Sequence, residues 1–419
     1  MAGTTVAFHT LGCKLNFAES STLLRNLEQD GFIRRDFEEQ ADIYVVNTCS
    51  VTSRADQECR ALVRRIKRQA PASKVVITGC YAQLKPQEIA AVEGVDLVLG
   101  ANEKFHLVTH LKNMAADQSR ICSCDISEVN DFHPAWSLQD RTRSFLKVQD
   151  GCDYHCSFCT IPLARGKSRS SRIDRVLEQV EKIAASGVKE IVLTGVNLGD
   201  FGKSGPGAEE DFLGLIRALD QMESILRFRI SSIEPNLLNE DIIHFIAGSK
   251  RFMPHFHIPL QSGSNKILGL MKRRYRKELY SSRVRLIQSL MPHCCIGADM
   301  ITGFPSESQE DFNESFQFVQ SLDLSYLHVF TYSERQSTAA LDIGPTVPHR
   351  ERQERTAAFR QLSEEKRADF ELRHRGQTRP VLFESGNGEG ILEGYSDNYI
   401  RVTVPLCKEW VNQVIPWTL

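Results

Sequence analysis

The sequence predicts an α/β protein in three parts: an N-terminal parallel-sheet domain, a central partial (β/α)6 barrel and a small C-terminal antiparallel β domain. Three observations lead there. Short β-branched runs alternate with helix-spaced segments over about the first hundred residues. Six further strand candidates are each followed by a helical stretch, and short strands separated by Gly and Asn close the chain. With 419 residues, 41% hydrophobic and 25% charged, the chain exceeds one ordinary core and is too balanced for disorder.

In the first part the strands read TVAFHT, DIYVVN, KVVITG and DLVLG. Between them, 17–30 and 52–69 place Leu23, Leu24 and Leu27, then Leu62, Val63 and Ile66, at helical spacing. Residues 1–113 are therefore assigned to the first domain. Over 114–143 the pattern fades into polar sequence around Pro134, the mark of a linker.

The barrel strands are expected at 144–149, 190–194, 226–232, 255–261, 296–302 and 326–332. Its first helix is marked by Ile173, Val176, Leu177, Val180 and Ile183 on one face. A charged helix over 350–375 ends this domain, set at 144–375. The strands VLFE, GILEGY and YIRVTVPL then form a sheet or small barrel over 376–419, with the last residues coming early for a complete barrel.

Composition excludes several classes. The opening MAGTTVAFHTLGCKLN lacks the features of a signal peptide, and no run of 18 apolar residues occurs, so a soluble cytoplasmic protein without membrane contact is expected. A net charge of -2 rules out a polycation that holds nucleic acid by its overall field. Local basic clusters remain, each also readable as a solvated helix face: Arg64, Arg65, Lys67 and Arg68; Lys272, Arg273, Arg274, Arg276 and Lys277; Arg373, Arg375 and Arg379.

Twelve cysteines in a reducing compartment point to metal or catalytic thiols rather than disulfides. Cys152, Cys156 and Cys159 form a C-x3-C-x2-C spacing directly after the first barrel strand. Three thiolates so close can hold three corners of a 4Fe-4S cube, leaving one iron open to chelate the amino and carboxylate groups of S-adenosylmethionine (SAM). Zinc prefers four ligands in paired C-x2-C units, and His155 reads better as a loop residue than as a fourth ligand.

A second set, Cys13, Cys49 and Cys80, follows three strands of the first domain at separations of 36 and 31 residues, close to one βαβ unit. Equivalent turns bring the three thiols to the carboxyl edge of the sheet, where ligands bind, and a second cluster fits there. Three packing cysteines are the alternative. Cys122 and Cys124 in the linker, with Cys59, Cys294, Cys295 and Cys407, read as structural.

The cysteine loop, with Phe158 before its last cysteine, resembles the radical SAM superfamily signature, and Arg165-Gly166 extends the likeness. TLGCKLN, VVNTCSVT, TGCYAQ, EIVLTGVNLGDFG, RISSIEP, HIPLQSGS and GADMITGFPSES extend it along essentially the whole chain to the radical SAM methylthiotransferases. The wording most resembles family members that act on N6-threonylcarbamoyladenosine beside the tRNA anticodon. Isopentenyladenosine tRNA, a ribosomal-protein aspartate and a non-catalytic iron-sulfur RNA-binding protein are the alternatives.

This resemblance implies two 4Fe-4S clusters, SAM as cofactor, the tRNA anticodon stem-loop as partner and an electron donor such as flavodoxin or ferredoxin. It also implies SAM contacts: Phe158 beside the adenine, Thr194, Gly195 and Asn197 near the methionyl amine, Ser232, Glu234, Gln261 and Ser262 toward ribose or carboxylate, and Ile301 and Phe304 near the adenine. The final β region resembles a TRAM domain, which brings Arg379, Tyr395, Tyr399 and Arg401 as candidate RNA contacts. Asp299, expected inside the barrel, needs a partner that the sequence does not name.

Overall fold

The computed structural model describes residues 3–50, 53–114, 120–138, 142–205, 208–384 and 390–419. Thr52, at the start of the second expected helix, Val51 before it and parts of the expected linker at 115–119 and 139–141 lie outside them.

The N-terminal sheet contains β1 (Thr5–Thr10), β2 (Ile33–Arg35), β3 (Ile43–Thr48), β4 (Lys74–Gly79), β5 (Leu97–Leu99) and β6 (Ile121–Cys122), all parallel, in the order β2-β1-β3-β4-β5-β6. The chain reverses direction across the sheet between β1 and β3. At such a switch point the connections leave toward opposite faces and open a crevice at the carboxyl edge.

The segment expected to be a polar linker takes part in both neighbouring sheets. It supplies β6 to the first and β7 (Ala135–Trp136), antiparallel to β8 (Arg143–Lys147), to the second. Two residues of strand carry too little periodicity to be read from sequence.

All six expected barrel strands form: β8, then β11 (Glu190–Thr194), β12 (Arg227–Ile230), β13 (His255–His257), β14 (Cys295–Thr302) and β15 (Tyr326–Thr331). Between β8 and β11, the short antiparallel pair β9 (Gln149–Asp150) and β10 (Arg169–Ser170) brackets the cysteine loop. The parallel strands fall into two sheets, β8-β11-β12 and β13-β14-β15, joined by a parallel bridge between Phe228 and Phe252. The expected amphipathic helix, Ile173–Ala185, buries Val176, Val180 and Ile183 in the barrel core.

The charged helix His349–His374 lays Phe359 and Leu362 on that core, and the Ser363 hydroxyl exchanges hydrogen bonds with the backbone of Leu327. The C-terminal sheet is antiparallel: β16 (Thr378–Phe383), β17 (Ile391–Ser396), β18 (Arg401–Pro405) and β19 (Val414–Thr418), in the order β18-β17-β16-β19. Arg229 of β12 fastens it to the barrel, donating to the carbonyls of Ser396 and Asp397 at 2.7 and 2.8 Å. No helix among the described residues is long and apolar enough to cross a membrane.

Candidate active site

The cysteine loop leaves β9 through Gly151, whose φ of +70° and contact with Lys167 backbone admit no Cβ. Each of its three sulfurs receives one N–H donor. The Tyr154 amide points at Cys152 Sγ and the Ile161 amide at Cys159 Sγ, both at 3.4 Å, while Arg273 Nη1 lies 3.2 Å from Cys156 Sγ.

Burial pushes the Cys152 and Cys159 thiols up to about 12. Such a set of sulfurs is costly to ionise alone and is stabilised as thiolates by bound metal, with the N–H donors adding support. His155 is exposed in the loop, as expected.

Cys13, Cys49 and Cys80 follow β1, β3 and β4, so the expected gathering at one sheet edge is observed. Two glycines set the turns. Gly12 has φ +95°, and a Cβ there would lie 2.6 Å from Cys49 Cβ; Gly79 has φ +97° and would meet Thr48 backbone. Asn16 Nδ2 donates to the carbonyls of Leu11 and Thr48, both at 2.9 Å, stapling the turns that carry Cys13 and Cys49. The Thr48 hydroxyl continues the tie to Thr78 O.

A buried ionic network joins the two cysteine regions. Arg165, on the short helix after the cysteine loop, donates to Asn16 Oδ1 at 2.6 Å, to Glu19 at 3.1 and 3.2 Å and to Asp150 at 2.9 Å. Lys104 and Lys147 also end on Glu19, at 2.5 and 2.9 Å. All five charged groups are buried. Burial alone would raise the Glu19 carboxyl, but Arg165, Lys104 and Lys147 outweigh it and hold it well below the usual range. The same cations depress Asp150.

A cavity of about 1220 Å³ opens beside Cys13 and Cys49 and reaches into the barrel. Of the expected SAM contacts, Thr194, Gly195 and Ser232 line it. Asn197 is held behind them, with its amide on Gln149 Oε1 and its side chain on Asp200. Glu234 pairs with Arg273, so the carboxylate serves the cation beside Cys156. Gln261, at φ +67°, bridges to β14, and half-buried Ile301 donates its amide to the Gln261 carbonyl.

Two expected contacts are sealed off. Ser262 is buried and accepts from the Ser264 amide. Phe304 is fully enclosed among Ile267, Met271 and Tyr332, with its ring 6.4 Å from Phe158, so it supports Phe158 from behind. A strand-end position does not determine which way a side chain packs.

Asp299 has the partners the sequence left unnamed. His257 Nε2 and His328 Nδ1 approach its Oδ1 at 2.9 and 3.4 Å, and Tyr326 supports His257 from the other ring nitrogen at 3.2 Å. Burial opposes ionisation of Asp299, yet the two imidazoles hold its pKa low. These three side chains also form the group among the described residues whose donor atoms lie close enough to hold a metal ion. His255 and His257 alternate along β13, and that spacing was the available sequence signal.

The candidate RNA residues do not form an outward stacking face. Arg379 is locked in a two-point ion pair with Asp397, at 2.7 and 2.8 Å. Tyr399 stacks on His255 with centroids 4.2 Å apart, Tyr395 stacks on Tyr399, and Arg143 lies over Tyr395, so both rings turn inward to the cavity. Arg401 lines the same cavity and pairs with Glu393. Attachment of this sheet to the barrel, invisible in sequence, turned the aromatics inward.

Comparison with known proteins agrees with this architecture. Residues 5–100 match the family described as "Uncharacterized protein family UPF0004", and 146–319 match the Radical SAM superfamily. The chain is 35% identical to the threonylcarbamoyladenosine tRNA methylthiotransferase MtaB of Bacillus subtilis (strain 168), covering 98% of this chain and 92% of that protein. It is 38% identical to the MtaB of Aquifex aeolicus, over 90% and 92%. A tRNA-2-methylthio-N(6)-dimethylallyladenosine synthase of Ruegeria is 30% identical, over 95% and 92%.

Among solved structures, the radical SAM methyltransferase TsrM of Kitasatospora setae shares the fold, with a TM-score of 0.57 at 15% identity over 78% of this chain and 75% of that one. Agreement along nearly the full length of several methylthiotransferases, spanning both cysteine regions, settles the relationship: the chain belongs to the radical SAM methylthiotransferase family.

Proposed function

We propose that this enzyme adds a methylthio group to carbon 2 of N6-threonylcarbamoyladenosine next to the tRNA anticodon. The observation that carries the reading is the placement of Cys13 and Cys49 on the wall of one cavity with the strand ends Thr194, Gly195 and Ser232. Four MtaB proteins are 35–38% identical and a fifth 30%, against 29–30% for three dimethylallyladenosine synthases, which favours the threonylcarbamoyl substrate.

Cys152, Cys156 and Cys159 suit a 4Fe-4S cluster because each sulfur already has one N–H donor and none has a covalent partner. Cys13, Cys49 and Cys80 suit a second one, since Gly12 and Gly79 bring their turns together. When bound, the two clusters supply the electron for reductive cleavage of SAM and the site that carries sulfur.

The chain's own residues do the rest. Thr194, Gly195 and Ser232 offer polar groups to SAM, Phe158 offers a ring to its adenine, and Arg273 keeps a positive charge beside Cys156. Arg165 holds the two cysteine regions in fixed relation, so that both can address one substrate base. A donor such as flavodoxin or ferredoxin delivers the electron, and the reaction belongs in the cytoplasm with its tRNA substrate.

Nucleoside mass analysis of tRNA from cells lacking the protein tests the substrate. The methylthio group should vanish from threonylcarbamoyladenosine and persist on isopentenyladenosine. Loss from isopentenyladenosine instead would refute the assignment.

A further inference from the structure

The main cavity holds a cation that the protein leaves without an anion. Lys14 follows Cys13 directly, opens the helix Lys14–Gln29 and lines both the main cavity and an adjoining one of about 360 Å³. Among the described residues its ammonium makes no hydrogen bond and no ion pair. The lysines at the domain junction differ, because Lys104 and Lys147 both end on Glu19.

Among the described residues no carboxylate of the cavity forms an ion pair with Lys14. Asp299 is occupied by His257 and His328, and Glu58 and Glu371 line the cavity without pairing with it. The first turn of its helix carries no acidic residue, so the helix N-terminus adds positive potential at the same place. Lys14 is exposed on the cavity wall, so its ammonium is accessible to a ligand that enters, and a ligand carboxylate would supply the counter-ion the wall lacks.

The geometry of adenine says which part of a substrate would bring it. Carbon 2 and the N6 substituent flank N1 on the same edge of the base. A base that presents carbon 2 to the thiol edge at Cys13 therefore sends its N6 substituent along the wall that begins with Lys14. We propose that Lys14 anchors a carboxylate carried by the N6 substituent and so determines specificity for an anionic modified adenosine. This inference rests on the substrate reading above. An apolar substituent would leave the ammonium facing hydrocarbon, so the same residue selects against it.

The test compares anticodon stem-loops bearing N6-threonylcarbamoyladenosine as the free acid and as its neutral methyl ester. The wild-type enzyme should favour the acid by roughly tenfold or more in kcat/KM, the range expected of a charge-assisted hydrogen bond. Lys14→Met should bring that ratio near one, and Lys14→Arg should keep most of it.

Equilibrium binding of the two stem-loops, followed by fluorescence anisotropy, gives the same ratio without turnover and keeps the test valid if a variant assembles its clusters poorly. A Lys14→Met enzyme that still discriminates overturns the proposal alone. A wild-type enzyme inactive on the acid removes the substrate reading, and the proposal with it.

Discussion

Arg165 and Glu19 are separated by 146 positions in the chain, yet their side chains meet at 3.1 and 3.2 Å in a site closed to water. One follows the cysteine loop of the barrel and the other sits on the helix that follows Cys13. This contact makes the relation between the two cysteine regions a property of the folded chain.

Removing one partner leaves buried charge uncompensated. Arg165→Met should destabilise the protein by about 3–5 kcal/mol, the usual cost of breaking such a pair. Urea denaturation of the cluster-free protein measures this directly. A loss under about 1 kcal/mol would mean that the junction is wetter or looser than described.

Acid should undo the same junction. Glu19 and Asp150 are held below their unfolded values, so their stabilisation is full above about pH 5 and is lost as pH falls through the folded values. Between about pH 5 and pH 3, the urea midpoint of the wild type should fall more steeply than that of Glu19→Gln. Parallel slopes would contradict the assignment.

Gly12→Ala places a methyl group 2.6 Å from Cys49 Cβ on a backbone with φ +95°. The turn has to move, and the thiol edge moves with it. Iron analysis of anaerobically reconstituted protein should show one cubane lost, with the Cys152 loop still loaded. Full iron content would show that the turn tolerates the shift.

Arg273 places positive charge and an N–H against Cys156 Sγ. In Arg273→Met, a cluster at this loop should become harder to reduce, and 5′-deoxyadenosine formation should slow roughly tenfold or more, because donors to cluster sulfurs raise the potential. Redox titration followed by EPR checks the first effect. An unchanged potential would place Arg273 outside the cluster's electrostatics.

The six barrel strands, the amphipathic helix Ile173–Ala185 and the cysteine turns were legible because each is written in local periodicity or spacing. What pairs across long separations was not. Nothing near Arg165 points to Glu19, and Asp299 meets His328 only because β14 and β15 pair in one register, which sets Asp299 opposite His328. Tyr395 and Tyr399 read as RNA-stacking residues because aromatics on short strands look alike whether a neighbouring domain covers them or not. The docking of that sheet through Arg229 turns both rings toward the cavity.

The most direct test follows iron and chemistry together in two triple variants, one with Cys13, Cys49 and Cys80 replaced by Ala and one with Cys152, Cys156 and Cys159 replaced. Anaerobic Mössbauer spectroscopy should find two cubanes in the wild type and one in each variant. The first variant should still cleave SAM but form no methylthio product, and the second should do neither. A single cubane in the wild type, or methylthio product from the first variant, would contradict the account.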